Sequence, residues 1–119
     1  FYNHRNQIFK MEKNTITIDI DVDENKVPER ISWNAPPLGK TADCKAMILA
    51  VWDKDERNTM RLDLWTKEME VEEMKFFVHQ TLLTLSDSFE KATGDARMAA
   101  TMRDFCDYYS EKMNLQSPL

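Results

Sequence analysis

Glycine is nearly absent from this chain. Only Gly39 and Gly94 occur among the 119 residues. Loops that cradle phosphate groups need several glycines, because the backbone must approach the ligand closely. The sequence therefore excludes a Gly-rich nucleotide-binding loop.

Cysteine and histidine are also scarce. The two cysteines, Cys44 and Cys106, lie far apart and form no CxxC motif, and His79 is the only histidine beyond the first ten residues. This set is too small for a structural zinc site. We therefore expect no metal and no cofactor, and we expect the reduced thiols of a cytoplasmic protein.

A net positive charge and long apolar runs are lacking as well. The formal net charge is −5, and an acidic surface repels phosphate backbones, so we expect no nucleic-acid partner. No stretch approaches the ~18 apolar residues of a membrane-spanning helix, so we expect no direct span. Residues 1–10 contain no acid and precede a Met. We expect them to be an N-terminal extension outside the core, and residues 11–119 to be a single domain.

Acidic residues are concentrated in the stretch DIDVDEN, residues 19–25. The spacing of Asp19, Asp21 and Asp23 resembles the start of an EF-hand calcium loop, which needs Gly at its sixth position and Glu at its twelfth. Here those positions hold Glu24 and Arg30. The alternating isoleucines instead predict a half-buried strand whose acids face water.

Further strand patterns follow in the first half of the chain. We predict strands near residues 15–22 and 30–33, a Pro-rich loop over residues 35–40, and a strand apolar on both faces over residues 45–53. The polar residues 54–58 predict a hairpin loop, and Thr59–Trp65 alternates as the return strand.

The second half predicts two amphipathic helices, over Val71–Thr93 and over residues 96–114. The apolar stripe of the second helix consists of Met98, Met102, Phe105, Tyr109 and Met113. Gly94 is placed as a C-cap and Asp95 as the next N-cap. Because the apolar stripes of the helices and one face of the sheet need cover, we predict a two-layer α+β domain in the order ββββαα. Its antiparallel sheet, of about four strands, is expected to be covered by the C-terminal helical hairpin.

A second apolar strip on the first helix supplies candidate binding residues. Phe76, His79 and Leu83 lie roughly 110° from the main stripe. Such a strip either packs against the second helix or binds another subunit or partner. Trp52 is expected on the sheet face that points away from the helices, which needs its own cover. The remaining candidates are Trp33 and Trp65, because aromatic residues dominate interface energetics.

Catalytic residues are hard to find. Ser86 and Ser88 have no neighbouring His in a nucleophile motif, and a lone helical histidine such as His79 is more typical of structure than of catalysis. Cys106 lies beside the apolar stripe of the second helix, where a thiol packs as a small hydrophobe. We therefore expect no enzymatic activity.

Three further blocks of the sequence are distinctive as a set. They are VDENKVPERISW (22–33), LDLWTKEMEVEEMKFFVHQTL (62–82) and DFCDYYSEK (104–112). As a set they resemble the gliding-motility-associated protein GldC of gliding Bacteroidetes, and the resemblance extends over nearly all of residues 11–119. It implies a small soluble protein that assists surface gliding, which is tied to the type IX secretion apparatus. It also implies an association with the membrane-anchored protein GldB, with no known enzymatic activity, cofactor or defined site.

Three functions stay open at this point. The first is a non-enzymatic accessory protein of the gliding machinery that acts by protein–protein binding. The second is a SecB-like holdase or export chaperone, favoured by the sheet-plus-helices pattern, the acidic charge, Met-rich stripes and a homo-oligomer as the expected state. The third is an enzyme that uses His79 with a nearby carboxylate.

Overall fold

A computed structural model describes residues 11–115 of the chain. The chain forms two compact units, divided between Glu68 and Met69. The first unit contains the strands and the second contains two helices. The α+β class, the antiparallel pairing and the C-terminal helical pair are confirmed. The expected extension over residues 1–10 lies outside the described residues, and a single domain over residues 11–119 stays a prediction.

The first unit contains two antiparallel sheets. The three-stranded sheet has the order β1 (Thr17–Val22), β2 (Pro28–Ala35), β3 (Lys40–Cys44). The second sheet, called here the ribbon, pairs β4 (Ala46–Trp52) with β5 (Thr59–Trp65). The predicted number of about four strands in one sheet was therefore wrong, since five strands form two sheets. The missed strand, β3, has the sequence KTADC, whose small apolar residues give only a weak alternation.

The three-stranded sheet separates apolar from polar residues. Ile20 of β1 lies opposite Ile31 of β2, which is fully buried. On the other face Asp19 lies opposite Ser32, and the Ser32 hydroxyl donates to Asp43 of β3 over 2.8 Å. Directly opposite residues of an antiparallel pair share a face, so this sheet has one apolar and one polar side. The predicted strand at DIDVDEN is confirmed.

Two of the β-hairpin turns are each organised by one aspartate. In the β1–β2 turn, Asp23 Oδ1 accepts hydrogen bonds from the backbone N–H of Asn25 at 2.8 Å and of Val27 at 2.9 Å. In the β4–β5 turn, Asp53 Oδ2 accepts from the N–H groups of Asp55 at 3.1 Å and Glu56 at 2.6 Å. A short side-chain acceptor of this kind replaces the hydrogen bonds that the backbone loses when it reverses. The predicted hairpin loop at residues 54–58 is confirmed.

The predicted loop between β2 and β3 contains a 3₁₀ turn, Pro36–Leu38. Gly39 follows it with φ of 63°, a left-handed conformation that glycine adopts without steric cost. This accounts for one of the two glycines in the chain.

The second unit contains α1 (Val71–Thr93) and α2 (Ala96–Lys112). Gly94 ends α1 with φ of 75°, and its N–H donates to the Glu90 carbonyl over 2.8 Å. Asp95 then caps α2 by accepting the N–H of Met98 at 2.9 Å. Both predicted caps are confirmed, and α2 ends slightly before the predicted residue 114. Within residues 11–115, neither helix is long and apolar enough to cross a membrane.

Candidate binding surface

The ribbon has one face made only of apolar side chains. In its register Met47 lies opposite Leu64, Leu49 opposite Leu62, and Val51 opposite Met60. These six residues are called here the apolar ribbon face. Because directly opposite residues point to the same side, the face continues from the base of the ribbon to its tip without a charge.

The exposure of this face increases toward the tip of the ribbon. Met47 and Leu64, at the base, are half-buried. At the tip, Val51 is 51% and Met60 is 54% exposed. Two strands alone are marginally stable in water, so an apolar face of this kind is normally covered. Its outer half is accessible for binding.

The opposite face of the ribbon carries Trp52, one of the predicted binding residues. Its side chain is 66% exposed at the end of β4, on the same face as Ile48 and Ala50. On β5 this face carries an exposed ion pair, with Arg61 Nη2 3.0 Å from Asp63 Oδ2. The tip of the ribbon therefore presents apolar surface on both sides.

The other two predicted tryptophans are less exposed. Trp33 is half-buried in the centre of the three-stranded sheet, opposite Ile18 of β1 and Ala42 of β3. Trp65 is half-buried at the base of the ribbon, opposite Ala46. The structure thus places Trp52 at the accessible tip and the other two in more enclosed positions.

The two helices contact each other through small residues. Ser86 of α1 and Ala99 and Cys106 of α2 are buried, with exposures of 0%, 0% and 1%. The Ser86 hydroxyl is satisfied within α1, since it donates to the Leu82 carbonyl over 2.8 Å. Small side chains allow two helices to approach closely. Sequence analysis missed this contact because it followed the large apolar residues rather than the small ones.

Of the predicted strip on α1, His79 faces the second helix. Its ring stacks on Tyr109 with centroids 6.0 Å apart and an interplanar angle of 18°. The Tyr109 hydroxyl donates to the Lys75 carbonyl over 3.3 Å. Phe76 and Leu83 are half-buried. The alternative that this side of α1 packs on α2 therefore describes His79, and partner binding by Phe76 and Leu83 stays a prediction.

An aromatic patch on α2 was not singled out by the sequence. Phe105 is 52% and Tyr108 is 56% exposed, with ring centroids 6.2 Å apart. Lys112 Nζ lies 5.7 Å from the centre of the Tyr108 ring, a cation–π geometry. Phe105 was expected in the buried stripe. Because α2 turns its small residues toward α1, the larger residues beside them remain accessible.

An arginine ties the two helices together. Arg103 Nη2 of α2 lies 2.8 Å from Asp87 Oδ1 and 2.7 Å from Glu90 Oε1 of α1. Hydrogen bonds to Asp87 and Glu90 raise the pKa of Arg103 above its already high value. One guanidinium thus bridges two carboxylates across the helical pair.

Two acids of the first unit pair with one lysine. Lys67, which follows β5, lies 2.6 Å from Asp23 Oδ2 and 3.1 Å from Glu29 Oε1. The hydrogen bond from Lys67, and next the one from the Val27 N–H, hold the pKa of Asp23 below its ordinary value. In the part of the chain that the structure describes, no group of three or more potential ligands could hold a metal ion.

The Cys44 thiol is not activated as a nucleophile. Burial, with a smaller contribution from neighbouring Asp43, raises the pKa of the Cys44 thiol, which keeps it protonated and poorly nucleophilic. A polar depression of about 540 Å³ lies beside it, lined in part by Asp21, Arg30 and Glu68.

Comparison with family models matches residues 28–115 to the family described as gliding motility-associated protein GldC-like. The chain belongs to the GldC-like family. The match covers the strands from β2 onward and both helices, so the ribbon and the helical pair both lie within the family region. The resemblance stated from the three sequence blocks is thereby confirmed. No curated protein and no solved structure matches the chain.

Proposed function

We propose that this gliding-motility-associated, GldC-like chain is a non-enzymatic accessory protein that acts by binding another protein. The observation that carries the proposal is the accessible apolar surface on both sides of the ribbon tip. Val51 and Met60 lie on one side and Trp52 on the other, each more than half exposed. Large apolar and aromatic side chains of this kind supply most of the free energy at protein interfaces.

The partner that the family resemblance favours is the membrane-anchored protein GldB, with this chain located in the cytoplasm. A ribbon tip with apolar residues on both sides fits a groove better than a flat surface, because a groove covers both sides at once. Burial of each such side chain contributes at most about 1.5–3 kcal/mol, so these residues would anchor a larger contact rather than supply the affinity alone.

The direct test is binding of purified GldB to variants at the ribbon tip. Trp52→Ala and Met60→Ala are expected to weaken binding at least tenfold, because each removes a large exposed side chain. Lys54→Ala, in the polar hairpin loop beside them, is the matched control and is expected to bind like the unaltered chain. Equal binding by all variants would remove the ribbon from the proposal.

The helical candidates are tested separately. Phe76→Asp is expected to reduce binding of GldB while the far-ultraviolet circular dichroism and the melting temperature stay close to those of the unaltered chain. If Phe76→Asp unfolds the chain, Phe76 belongs to the core and not to the binding surface.

A SecB-like holdase is the alternative function. Exposed methionines favour it, since Met60 is 54% and Met98 is 50% exposed and flexible methionine side chains adapt to varied clients. Light scattering of an aggregating client protein distinguishes the two functions. The holdase predicts suppression at about equimolar ratio, whereas the accessory protein predicts no suppression and selective binding of its partner.

A further inference from the structure

One edge of β4 has no neighbouring strand within residues 11–115, because β4 pairs only with β5. Toward β5, the Asp53 N–H donates to Asn58 and the Lys45 carbonyl accepts from Thr66, both over 2.9 Å. Successive residues of a strand direct their N–H and C=O groups to opposite edges. Since odd-numbered residues bond to β5, the other edge presents the backbone groups of Ala46, Ile48, Ala50 and Trp52.

This edge lacks the features that normally prevent pairing with another chain. Edge strands of natural proteins are commonly protected by charged residues, prolines or bulges. The sequence of β4, AMILAVW, has none of these residues, and its register with β5 is regular over all seven pairs. By contrast, β1 carries Asp19 and Asp21, and its register is interrupted between Asp21 and Val22. The open edge of β4 is therefore competent to extend the sheet.

We propose that β4 pairs antiparallel with β4 of a second copy of this chain, with the two-fold axis at Leu49. The two ribbons then form one four-stranded sheet in the order β5, β4, then β4 and β5 of the second copy. The inference uses the backbone edge of the strand, whereas the proposed binding of GldB uses exposed side chains. Trp52 takes part in both, so the tests change Ala50 and Leu49 instead.

The side chains favour this register. It places Ile48 opposite Ala50 of the second copy, and Trp52 opposite Ala46 of the second copy. Each large side chain thus meets a small one across the new pair. All of these residues have backbone groups on the open edge, so each opposing pair exchanges two hydrogen bonds.

The charges at the ends of the strand agree with the same register. Asp53, just after β4, comes opposite Lys45 of the second copy, just before β4, and symmetry repeats this pair at the other end. Opposite charges in directly opposed positions stabilise a strand pair. The apolar ribbon face also becomes continuous across both copies. Side-chain size, backbone hydrogen bonding and charge are thus all complementary when β4 pairs with itself. We therefore take a second copy of this chain as the partner of the open edge.

Sedimentation velocity at micromolar concentrations tests the dimer. The mass fitted for the unaltered chain is expected to be twice the chain mass of 14.0 kDa. Ala50→Pro removes an N–H on the open edge and leaves the β4–β5 hydrogen bonds in place, so it is expected to sediment as a monomer with unchanged circular dichroism. The matched variant Ala50→Thr keeps the N–H and is expected to remain a dimer. A monomeric unaltered chain, or an Ala50→Pro variant as dimeric as it, would overturn the proposal.

Cysteine cross-linking tests the register without depending on a disruptive variant. In a background with Cys44→Ala and Cys106→Ala, Leu49→Cys places two thiols across the axis, where opposed Cα atoms lie about 4.5 Å apart, within disulfide range. Ala50→Cys is the control, because its symmetry mate lies diagonally at more than about 7 Å. Mild oxidation is expected to link most of the Leu49→Cys chains and few of the Ala50→Cys chains. No cross-linking at Leu49, or equal cross-linking at both positions, contradicts the proposed axis.

Discussion

The three-stranded sheet and the ribbon come from the same short stretch of chain and differ in how they distribute apolar residues. In the sheet, apolar and polar side chains occupy separate faces, and the polar face is crossed by pairs such as Ser32–Asp43. In the ribbon, one face is wholly apolar and the other is mixed. A sheet with one polar face needs cover on one side only, whereas the ribbon has exposed apolar side chains on both sides. We therefore propose the ribbon as the region that contacts another molecule.

The largest expected effect on stability comes from shortening a buried side chain of the three-stranded sheet. Ile31→Ala is expected to lower the free energy of unfolding by about 2–5 kcal/mol, because Ile31 is fully buried. Met60→Ala in the ribbon is expected to cost about 1 kcal/mol or less, since its side chain remains half exposed. Urea unfolding followed by circular dichroism measures both. Equal costs would show that the ribbon tip is packed as tightly as the sheet.

Neighbouring positions on α1 show the same contrast between buried and exposed side chains. Ser86 is fully buried and Leu85 is 54% exposed. Ser86→Leu is expected to cost about 1–3 kcal/mol, because the larger side chain overpacks the contact with α2. Leu85→Ser, the reverse change one residue away, is expected to alter stability by about 0.5 kcal/mol or less. Thermal melting of the two variants checks this order, and a more damaging Leu85→Ser would reverse our assignment of the helix faces.

Low pH is expected to lower the free energy of unfolding, because Asp23 becomes protonated. Its pKa is lower in the folded chain than in the unfolded one, mainly because Lys67 donates a hydrogen bond to it. The stabilisation is therefore complete above the unfolded pKa and is lost as the pH falls through the folded pKa. Urea midpoints measured between about pH 6 and pH 2 are expected to fall less steeply in Lys67→Met than in the unaltered chain. If the urea midpoints of both chains fall equally with pH, the Asp23–Lys67 pair does not contribute to stability.

The smallest expected effects compare the two turns. Lys26 in the first turn and Arg57 in the second both have positive φ, 64° and 56°. Replacing either residue with Gly relieves the backbone strain of the positive φ. The gain is partly offset because glycine gives the unfolded chain more freedom, so we expect a net stabilisation of about 0.5–1 kcal/mol for each variant. Differential scanning calorimetry is sensitive enough to compare them. Destabilisation by Lys26→Gly alone would mean that its side chain contributes to the first turn.

Much of the fold could be predicted from the sequence because its periodic signals are strong. The strand Thr59–Trp65 and the helix Val71–Thr93 have their predicted bounds, and Gly94 and Asp95 cap the helices as expected. β3 was missed because Ala42 and Cys44 are too small to give a clear alternation.

The candidate site was harder to predict, because interfaces between helices depend on small residues as much as on large ones. Ser86 and Ala99 are fully buried, and neither interrupts an apolar pattern. Consequently Phe105 was expected inside and is half exposed. Trp52 was recognised from the strand period, since it ends a strand that is apolar on both faces.

Hydrogen exchange of the β4 backbone, followed residue by residue at several protein concentrations, tests most directly whether the ribbon is where the chain associates. The amides of Ala46, Ile48, Ala50 and Trp52 are expected to become more protected as the concentration rises. The amides of Met47, Leu49 and Val51, which face β5, are expected to be protected at every concentration. Protection of the even-numbered amides that does not change with concentration would contradict the account.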